Sequence, residues 1–484
     1  MSGSIVQGVL VNMAQLPFFT SRLLWPVQFA KLARFGITLI LALAISIGAT
    51  VGQRQANAQG LQLLRDSETE TLLRDMAAPI FVVAGIGPNA VRISIVNDST
   101  LNAFVTQGLN MFFHSGLLLE AGDAEEVIGV MAHEIGHIAG GHLIRLRGSI
   151  RNASRLAILA QILGIAAAVG TGRGEIGAAV ITGGQSVATR SILSFSRAQE
   201  SSADAAAITF LSQAGMTGHG FLRFMETLGE QDLLPANRQV QYARTHPLTR
   251  DRVAAIRAAV MQDGRDEIGV SEGMQERFRR MQAKLLGYLQ PRVAFQRYPA
   301  NDPSIAGQYA RSIALWRTGD AVGALGTIDA LIAAEPNNPF FQEQRGQILF
   351  ESGRIDEAVS AYQIAAEALP EASLIQTAYA HALIETREDA NLALAVDRLQ
   401  LSLRREGNSP FAHRLIAIAY GRLGQDGPAR LHLAEEALLR RDMPAAKGHL
   451  ERALQSIRAD DTQNLIRARD LESAIAALEA ENDE

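Results

Sequence analysis

His133, Glu134 and His137 stand together in the pattern His-Glu-Ile-Gly-His, which places two imidazoles and a carboxylate within five residues. Residues four apart lie on the same face of a helix, so both histidines can present a ring nitrogen to one cation. Glu134 lies beside them and can reach a water molecule at the metal rather than the metal itself. The surrounding positions are apolar: Val127, Ile128, Val130, Met131, Ile135 and Ile138. Because polar groups are costly in a buried helix unless they are paired, the pattern predicts a metal site rather than two surface histidines.

Two histidines do not complete a catalytic zinc site, which needs a third protein ligand and an open position. In one known arrangement a glycine and a histidine follow the second histidine by three and six residues. Gly140 fits this arrangement, but position 143 is Leu143 and His142 comes one residue early. A histidine five residues after His137 points away from it on a continuous helix. We therefore reject this arrangement.

A carboxylate from a second helix is the other candidate for the third ligand. Glu200 and Asp204 stand four residues apart and therefore share a helical face. Glu200 could bind the metal, while Asp204 could accept the second N–H of a ligating histidine and so fix its tautomer. From spacing alone, Glu200 is as consistent with a solvated surface carboxylate as with a ligand.

The composition limits the chemistry further. The 484 residues include no cysteine, which excludes a zinc finger built on cysteine, an iron–sulfur cluster, disulfides and a cysteine nucleophile. Any metal must therefore be held by His, Asp and Glu. The net charge of −5 argues against nucleic acid as a partner, since that role normally needs a basic surface. The length predicts two or three domains.

The patterning on both sides of the motif predicts the elements that position it. Short apolar runs between residues 91 and 118, broken by Asn-Asp and Gln-Gly, predict a small antiparallel sheet. Gly122-Asp123 then predicts the start of the metal-site helix. The uncharged stretch 156–172 predicts a buried or interfacial helix that could touch a membrane surface. The glycine-rich segment 170–184 predicts a mobile loop that could cover the site.

The first 58 residues carry the pattern of an export signal. Lys31 and Arg34 precede an uncharged run from Phe35 to Gly52, and Ala56-Asn57-Ala58 supplies a small-x-small cleavage pattern. We expect cleavage after Ala58 and a mature chain in the bacterial periplasm. The alternative is an uncleaved anchor in the inner membrane, because the run is of borderline length for a span.

The last third of the chain repeats with a fixed period. Four pairs of like residues are each 34 residues apart: Trp316 and Phe350, Gly319 and Gly353, Ala324 and Ala358, Pro336 and Pro370. This is the period of the tetratricopeptide repeat, in which each unit is a pair of helices. Stacked units give an α-solenoid with a concave binding surface. The fold class is therefore mainly α, with one small sheet.

Several motifs together resemble a known family. His-Glu-Ile-Gly-His followed by Arg-Ala-Gln-Glu-Ser-Ser-Ala-Asp is similar to the HtpX and CAAX-prenyl-protease type of zinc metallopeptidase, whose second motif is Glu-x-x-x-Asp. Leu101-Asn102-Ala103-Phe104 and Thr245-His246-Pro247 match that family's other signatures. The resemblance covers residues 61–260 by motif and the remainder by architecture only. It implies a gluzincin-type peptidase fold, one Zn²⁺ per chain and Glu200 as its third protein ligand.

These observations predict four segments and a function. The segments are an export signal (1–58), a zinc metallopeptidase domain (59–265), a helical connector (266–303) and a tetratricopeptide-repeat domain (304–484). With export and repeats added, the resemblance implies a periplasmic endopeptidase that degrades misfolded or stalled outer-membrane proteins. The repeats would then bind clients or the outer-membrane assembly machinery. The alternative is a chaperone or scaffold that acts through its repeats, with a regulatory or vestigial zinc site.

Within this expected enzyme, the remaining residues have expected roles. Glu134 is the general base, which takes a proton from water and delivers it to the leaving amine. The strand that includes Asn102, Ala103 and Phe104 could hold an extended peptide by main-chain pairing. His246 either donates a hydrogen bond to the developing oxyanion or closes the zinc site at rest as a fourth ligand. We favour the closing ligand, because an exported protease among unfolded clients needs restraint.

Overall fold

The computed structural model describes residues 62–87, 89–171, 174–231, 242, 245–265 and 269–483. The predicted export signal and its cleavage site after Ala58 lie outside the described residues. The peptidase motifs and the repeats lie in one compact unit that begins at Gln62.

A small sheet precedes the metal-site helix. Its strands are β1 (Leu63–Leu64), β2 (Arg92–Val96), β3 (Ala103–Thr106) and β4 (Asn110–His114), in the order β1-β2-β4-β3. Strand β1, which pairs antiparallel with β2, was not predicted. The predicted antiparallel pairing is confirmed for β3 with β4, but β2 and β4 are parallel. The difference arises because the chain crosses from β2 to the far edge before the β3–β4 hairpin brings β4 back into the middle. The sheet is therefore mixed, and β3 is an edge strand.

Helices surround this sheet in the first half of the described chain. They are α1 (Ser67–Val83), α2 (Ser115–Glu120), α3 (Ala124–Ala139), α4 (His142–Thr171), α5 (Gly174–Gln213), α6 (His219–Gln231) and α7 (Arg250–Asp263). Asp123 begins α3 as predicted, since its side chain accepts a hydrogen bond from the backbone N–H of Glu126. On α3, Gly136 lets α5 approach closely, because a Cβ there would lie 2.9 Å from the carbonyl oxygen of Ala203. This close approach brings the two predicted motifs together.

The glycine-rich segment does not form the predicted loop. Residues 174–184 belong to α5, which packs against α4 as a helical hairpin. Gly184 serves this packing, because a Cβ there would collide with the side chain of Ala160. Among the described helices, none is both long and apolar enough to cross a membrane.

The predicted connector is helical and contacts both halves of the compact unit. It comprises α8 (Glu272–Leu289) and α9 (Pro291–Arg297). On one side, Gln282 donates hydrogen bonds of 3.0 and 2.8 Å to the carbonyls of Leu118 and Ala121. On the other, Lys284 is buried beside the ring of Tyr309 in the first repeat helix and lies 3.6 Å from Glu343. Helix α8 is thus packed between the peptidase motifs and the repeats.

Paired helices follow from residue 305 to residue 483. The pairs are α10 (Ile305–Arg317) with α11 (Ala321–Ala334), α12 (Pro339–Glu351) with α13 (Ile355–Ala368), α14 (Ser373–Glu385) with α15 (Asp389–Arg405), α16 (Pro410–Arg422) with α17 (Asp426–Leu439), and α18 (Met443–Ser456) with α19 (Thr462–Asp483). The predicted period is visible in the backbone. Gly319, Gly353 and Arg387, each 34 residues apart, take a left-handed conformation with φ of 92°, 76° and 62° at the turn within a pair. These turns confirm the tetratricopeptide register.

Candidate metal centre

Four side chains from three segments converge on one buried point. His133 and His137 come from α3, Glu200 comes from α5, and His246 comes from the segment before α7. Nε2 of His133 lies 3.1 Å from Nε2 of His137 and 3.4 Å from a carboxylate oxygen of Glu200. Nδ1 of His246 lies 3.4 Å from Nε2 of His133 and 3.2 Å from the same oxygen of Glu200. The structure thus brings together the three predicted ligands and His246.

The spacing of these atoms suits a zinc ion. Ligands at 2.0–2.2 Å from a tetrahedral zinc are separated from one another by about 3.4 Å. The four ligand atoms lie within 4.8 Å of one another, and the separations quoted above, 3.1–3.4 Å, are equal to that expected separation or slightly shorter. Two imidazole nitrogens and a carboxylate oxygen are also the donor set that zinc accepts. The residues present therefore fit the ion that the sequence predicts.

Asp204 occupies the predicted position behind the ligands. Its Oδ1 lies 3.0 Å from Nδ1 of His133. The Nδ1 geometry falls short of a hydrogen bond. Because a carboxylate only accepts, its position favours the tautomer with the ring hydrogen on Nδ1, which leaves the lone pair of Nε2 for the metal position. The role expected of Asp204 in setting the tautomer is consistent with this contact.

Glu134 is close to the ligands but separate from them. It is fully buried, and within the described residues neither of its carboxylate oxygens has a hydrogen-bond partner. Nε2 of His246 lies 3.4 Å from one of these oxygens. Burial raises the pKa of Glu134 above its ordinary value. A buried carboxylate without a hydrogen bond, beside the ligands, is suited to accept a proton during a reaction.

Without a metal, burial and mutual contacts shift the pKa values of the three ligands in different directions. Burial opposes a charge on His133, but the nearby carboxylates of Asp204 and Glu200 outweigh it and raise its pKa to about 9. Burial and the neighbouring charge of His133 lower the pKa of His137 to about 2. Burial also opposes ionisation of Glu200, yet hydrogen bonds from His133 and His246 hold its pKa well below the ordinary value. A bound cation would displace the proton on His133.

The predicted substrate strand runs next to this cluster. Ala103 and Phe104 lie in β3, and Asn102 directly precedes it. The segment that carries His246 is tied to the start of this strand, since Tyr242 N donates to the carbonyl of Leu101 at 3.0 Å. Thr245 adds a 3.2 Å hydrogen bond to the side chain of Asn102. The position of His246 is therefore coupled to the edge of the sheet.

Arg252 is a site residue that sequence reasoning missed. Its guanidinium donates to both oxygens of Asp204 at 2.7 and 2.8 Å and lies 3.1 Å from an oxygen of Glu200. It also donates to the carbonyl of Pro247 at 2.9 Å, next to His246. A basic residue in the first turn of α7 opposes the helix dipole. That conflict was the available signal that Arg252 has another partner.

His142 was rejected as a metal ligand, and the structure gives it a different position. It begins α4, after the metal-site helix has ended at Ala139. Its Nδ1 lies 3.0 Å from Nδ1 of His137, on the side of that ring away from the metal position. His142 therefore contacts His137 at the ring nitrogen that faces away from the metal position.

The family follows from the residues that form this site. Residues 63–260 match Peptidase family M48. Residues 63–260 thus form an M48-type peptidase region. The family is one of zinc metallopeptidases, and the buried His133, His137 and Glu200 preserve its metal site.

Curated relatives extend the similarity beyond the M48 region. The chain is 24% identical over 381 residues to the beta-barrel assembly-enhancing protease of Escherichia coli (strain K12), covering 76% of this chain and 74% of that one. It is 31% identical over 170 residues to the putative beta-barrel assembly-enhancing protease of Vibrio cholerae, covering 35% of this chain and 34% of that one. Among solved structures, MamA from Desulfovibrio magneticus RS-1 aligns with 37% of this chain at 16% identity, with a TM-score of 0.28.

The contact between Asp204 and His133 makes a quantitative prediction. Asp204→Ala should weaken zinc binding by about 10–100-fold, as removal of such carboxylates does in other zinc enzymes. Asp251→Ala, which removes an exposed carboxylate from α7, is the matched control and should leave the affinity unchanged. Competition with a fluorescent chelator measures both. Equal affinities in the two variants would show that Asp204 does not support the ligand.

Proposed function

We propose that this protein is a periplasmic endopeptidase that hydrolyses misfolded or stalled outer-membrane proteins. The observation that carries the proposal is that the segment carrying His246 is hydrogen-bonded to Leu101 and Asn102, at the start of the edge strand β3. An edge strand offers backbone groups with which an extended peptide can pair regardless of its sequence. Unfolded or misassembled proteins supply such extended segments, whereas folded proteins do not.

Each residue of the site would have a separate role in peptide hydrolysis. His133, His137 and Glu200 would hold one zinc ion, which when bound supplies Lewis-acid activation of water and of the scissile carbonyl. Glu134 accepts the proton of the attacking water and delivers it to the leaving amine. Burial raises the pKa of Glu134, which favours the protonated form that acts as the acid. Asp204 and Arg252 keep His133 and Glu200 in position.

His246 would close the site in the resting enzyme. Its Nδ1 lies 3.4 Å from Nε2 of His133 and 3.2 Å from a carboxylate oxygen of Glu200, so it could supply a fourth ligand to the ion that these residues would hold. In that position it occupies the place that the substrate needs. Because its segment is tied to Leu101 and Asn102, a peptide that pairs along β3 would compete with those ties and release His246.

The other parts of the chain fit a role in the cell envelope. Two relatives are described as beta-barrel assembly-enhancing proteases, and we propose the same context, with the repeats binding clients or the assembly machinery. On α4, large apolar side chains are exposed, among them Leu156, Ile158, Leu159 and Ile162. This apolar surface would contact a membrane surface or an apolar client. The mature chain would begin at Gln59, which N-terminal sequencing of the periplasmic protein tests.

The proposal is tested with purified protein and two forms of one substrate. An outer-membrane β-barrel protein should be degraded when unfolded in urea-diluted buffer and resist when folded in detergent. EDTA should abolish degradation, and about one equivalent of Zn²⁺ should restore it. Failure to cut the unfolded form, or cutting that EDTA does not affect, would contradict the proposal. Suppressed aggregation in the presence of EDTA would instead favour the alternative function, a chaperone that acts through its repeats.

A further inference from the structure

A second group of metal-ligating side chains lies in the repeats. His413 belongs to α16, and His432 and Glu435 belong to α17. The two histidines are 5% and 2% exposed. Nδ1 of His413 lies 3.0 Å from Nδ1 of His432, and these nitrogens lie 3.0 and 3.1 Å from Oε2 of Glu435. Two imidazoles and a carboxylate thus form a nearly equilateral triangle of ligand atoms, which we call the repeat triangle.

The hydrogen bonds around the repeat triangle determine the tautomer of His413. Its Nε2 lies 3.0 Å from the carbonyl oxygen of Gly407. A carbonyl can only accept, so Nε2 carries the ring hydrogen and Nδ1 of the neutral ring presents a lone pair to the triangle. A metal-ligating histidine typically donates its other N–H to a backbone carbonyl in this way. His413 is therefore already held in the tautomer that binds a metal through Nδ1.

The geometry of the repeat triangle requires something between its atoms. Oε2 of Glu435 lies 3.0 Å from Nδ1 of His413 and 3.1 Å from Nδ1 of His432. With the ring hydrogen of His413 on Nε2, its Nδ1 and the carboxylate oxygen face each other with lone pairs, and two such atoms repel each other unless a hydrogen or a cation lies between them. Either the ring hydrogen of His432 or a metal ion can take that place.

We propose that the repeat triangle binds a divalent transition-metal ion, with zinc as the best match, through Nδ1 of His413, Nδ1 of His432 and Oε2 of Glu435. Imidazole and carboxylate donors together favour zinc, nickel or copper over magnesium and calcium. The triangle needs to expand only from about 3.0 to about 3.4 Å to accept a tetrahedral ion. The ion would join α16 to α17 and leave one position for solvent.

Arg467 is the group that competes with such an ion. From α19, it lies 2.9 and 2.8 Å from the two oxygens of Glu435 and 3.3 Å from Nε2 of His432. Binding through Nδ1 of His432 moves its ring hydrogen to Nε2, which then faces a guanidinium donor, so Arg467 must turn away. Its side chain is 33% exposed and has solvent to turn into. Removal of the Arg467 charge should therefore strengthen metal binding, whereas it would weaken a cluster held together only by ion pairs.

The test uses the full chain without an affinity tag. His133→Ala with His137→Ala removes the peptidase site, so any zinc that remains reports the repeat triangle. After equilibration with Zn²⁺ and dialysis, we expect about one zinc per chain by mass spectrometry and a dissociation constant in the micromolar range or below. Adding His413→Gln and His432→Gln to this background should remove the zinc. His449→Gln, which changes a histidine on α18 outside the triangle, should not.

Two further measurements keep the proposal falsifiable if the glutamine substitutions disturb the helix pair. Co²⁺ added to the chain lacking the peptidase site should give the visible absorption of a nitrogen-coordinated ion. Arg467→Gln, which keeps all three ligands, should tighten binding by at least about tenfold. Absence of zinc from the His133→Ala, His137→Ala chain, zinc that persists without His413 and His432, or weaker binding in Arg467→Gln would each overturn the proposal. None of these outcomes bears on the peptidase site.

Discussion

Glu134→Gln is expected to retain about one zinc per chain and to lose proteolysis, with kcat reduced by about 10²–10⁴-fold. Glutamine has the shape of glutamate but cannot accept a proton. Neither oxygen of Glu134 is placed among the metal ligands, so we expect the substitution to leave the zinc affinity unchanged. Metal content and the rate of peptide cleavage, measured on one preparation, test both halves of the prediction.

The matched control is Glu126→Gln on the same helix. Glu126 accepts a hydrogen bond from the backbone N–H of Gly122 and lies away from the ligands, and its glutamine variant can still accept that bond. We expect normal zinc content and normal activity in this variant. Loss of zinc from Glu134→Gln alone would show that Glu134 is a ligand and that its assignment as the base is wrong.

Glu134→Gln also distinguishes the peptidase function from the alternative function as a scaffold. A Glu134→Gln chain still folds and still presents its repeats, so a scaffold would keep its function in the cell. We expect instead that it fails to support clearance of stalled outer-membrane proteins and holds them as bound complexes. If Glu134→Gln fully restored function to cells that lack this protein, the cellular function would depend on the repeats rather than on proteolysis.

Sequence spacing predicted the first part of the metal centre and not the rest. His133 and His137 are fixed by helix geometry within one element, so their convergence needs no knowledge of tertiary structure. Glu200 lies on another helix, and spacing cannot say which face of α5 meets α3. That contact depends on the close approach at Gly136, a packing detail. Resemblance to a family, rather than periodicity, therefore supplied the third ligand.

The fold shows the same division between local and non-local information. The 34-residue period predicted the paired helices because each repeat is a local unit, and even Arg387 adopts the turn conformation that the register demands. The parallel pairing of β2 with β4 could not be predicted, because alternation does not encode the order of strands. The glycine-rich segment predicted a loop, but residues 174–184 are helical, and Gly184 allows α5 to pack closely against Ala160 of α4. Tertiary packing overrode a local propensity there.

His246→Ala is expected to raise basal proteolysis and to make the zinc more accessible to chelators. If His246 occupies the fourth metal position in most resting molecules, its removal frees that position for substrate. The gain equals the reciprocal of the open fraction, and a site open about 10% of the time would gain about tenfold. His219→Ala, which removes a histidine at the start of α6, is the control and should change neither quantity. Initial rates on an unfolded protein and zinc loss to a chromogenic chelator measure the two effects.

The alternative role of His246 predicts the opposite sign for activity. As a donor to the developing oxyanion, its loss would reduce kcat by about 10²–10³-fold and leave zinc affinity unchanged. The contacts favour closure, because Nδ1 of His246 lies 3.2 Å from Glu200 and 3.4 Å from His133, among the ligand atoms. Closure also explains why the segment that carries His246 is hydrogen-bonded to Leu101 and Asn102. A substrate peptide that paired with β3 would break these hydrogen bonds and release His246 from the metal position. If rate and zinc release are both unchanged in His246→Ala, His246 has neither role.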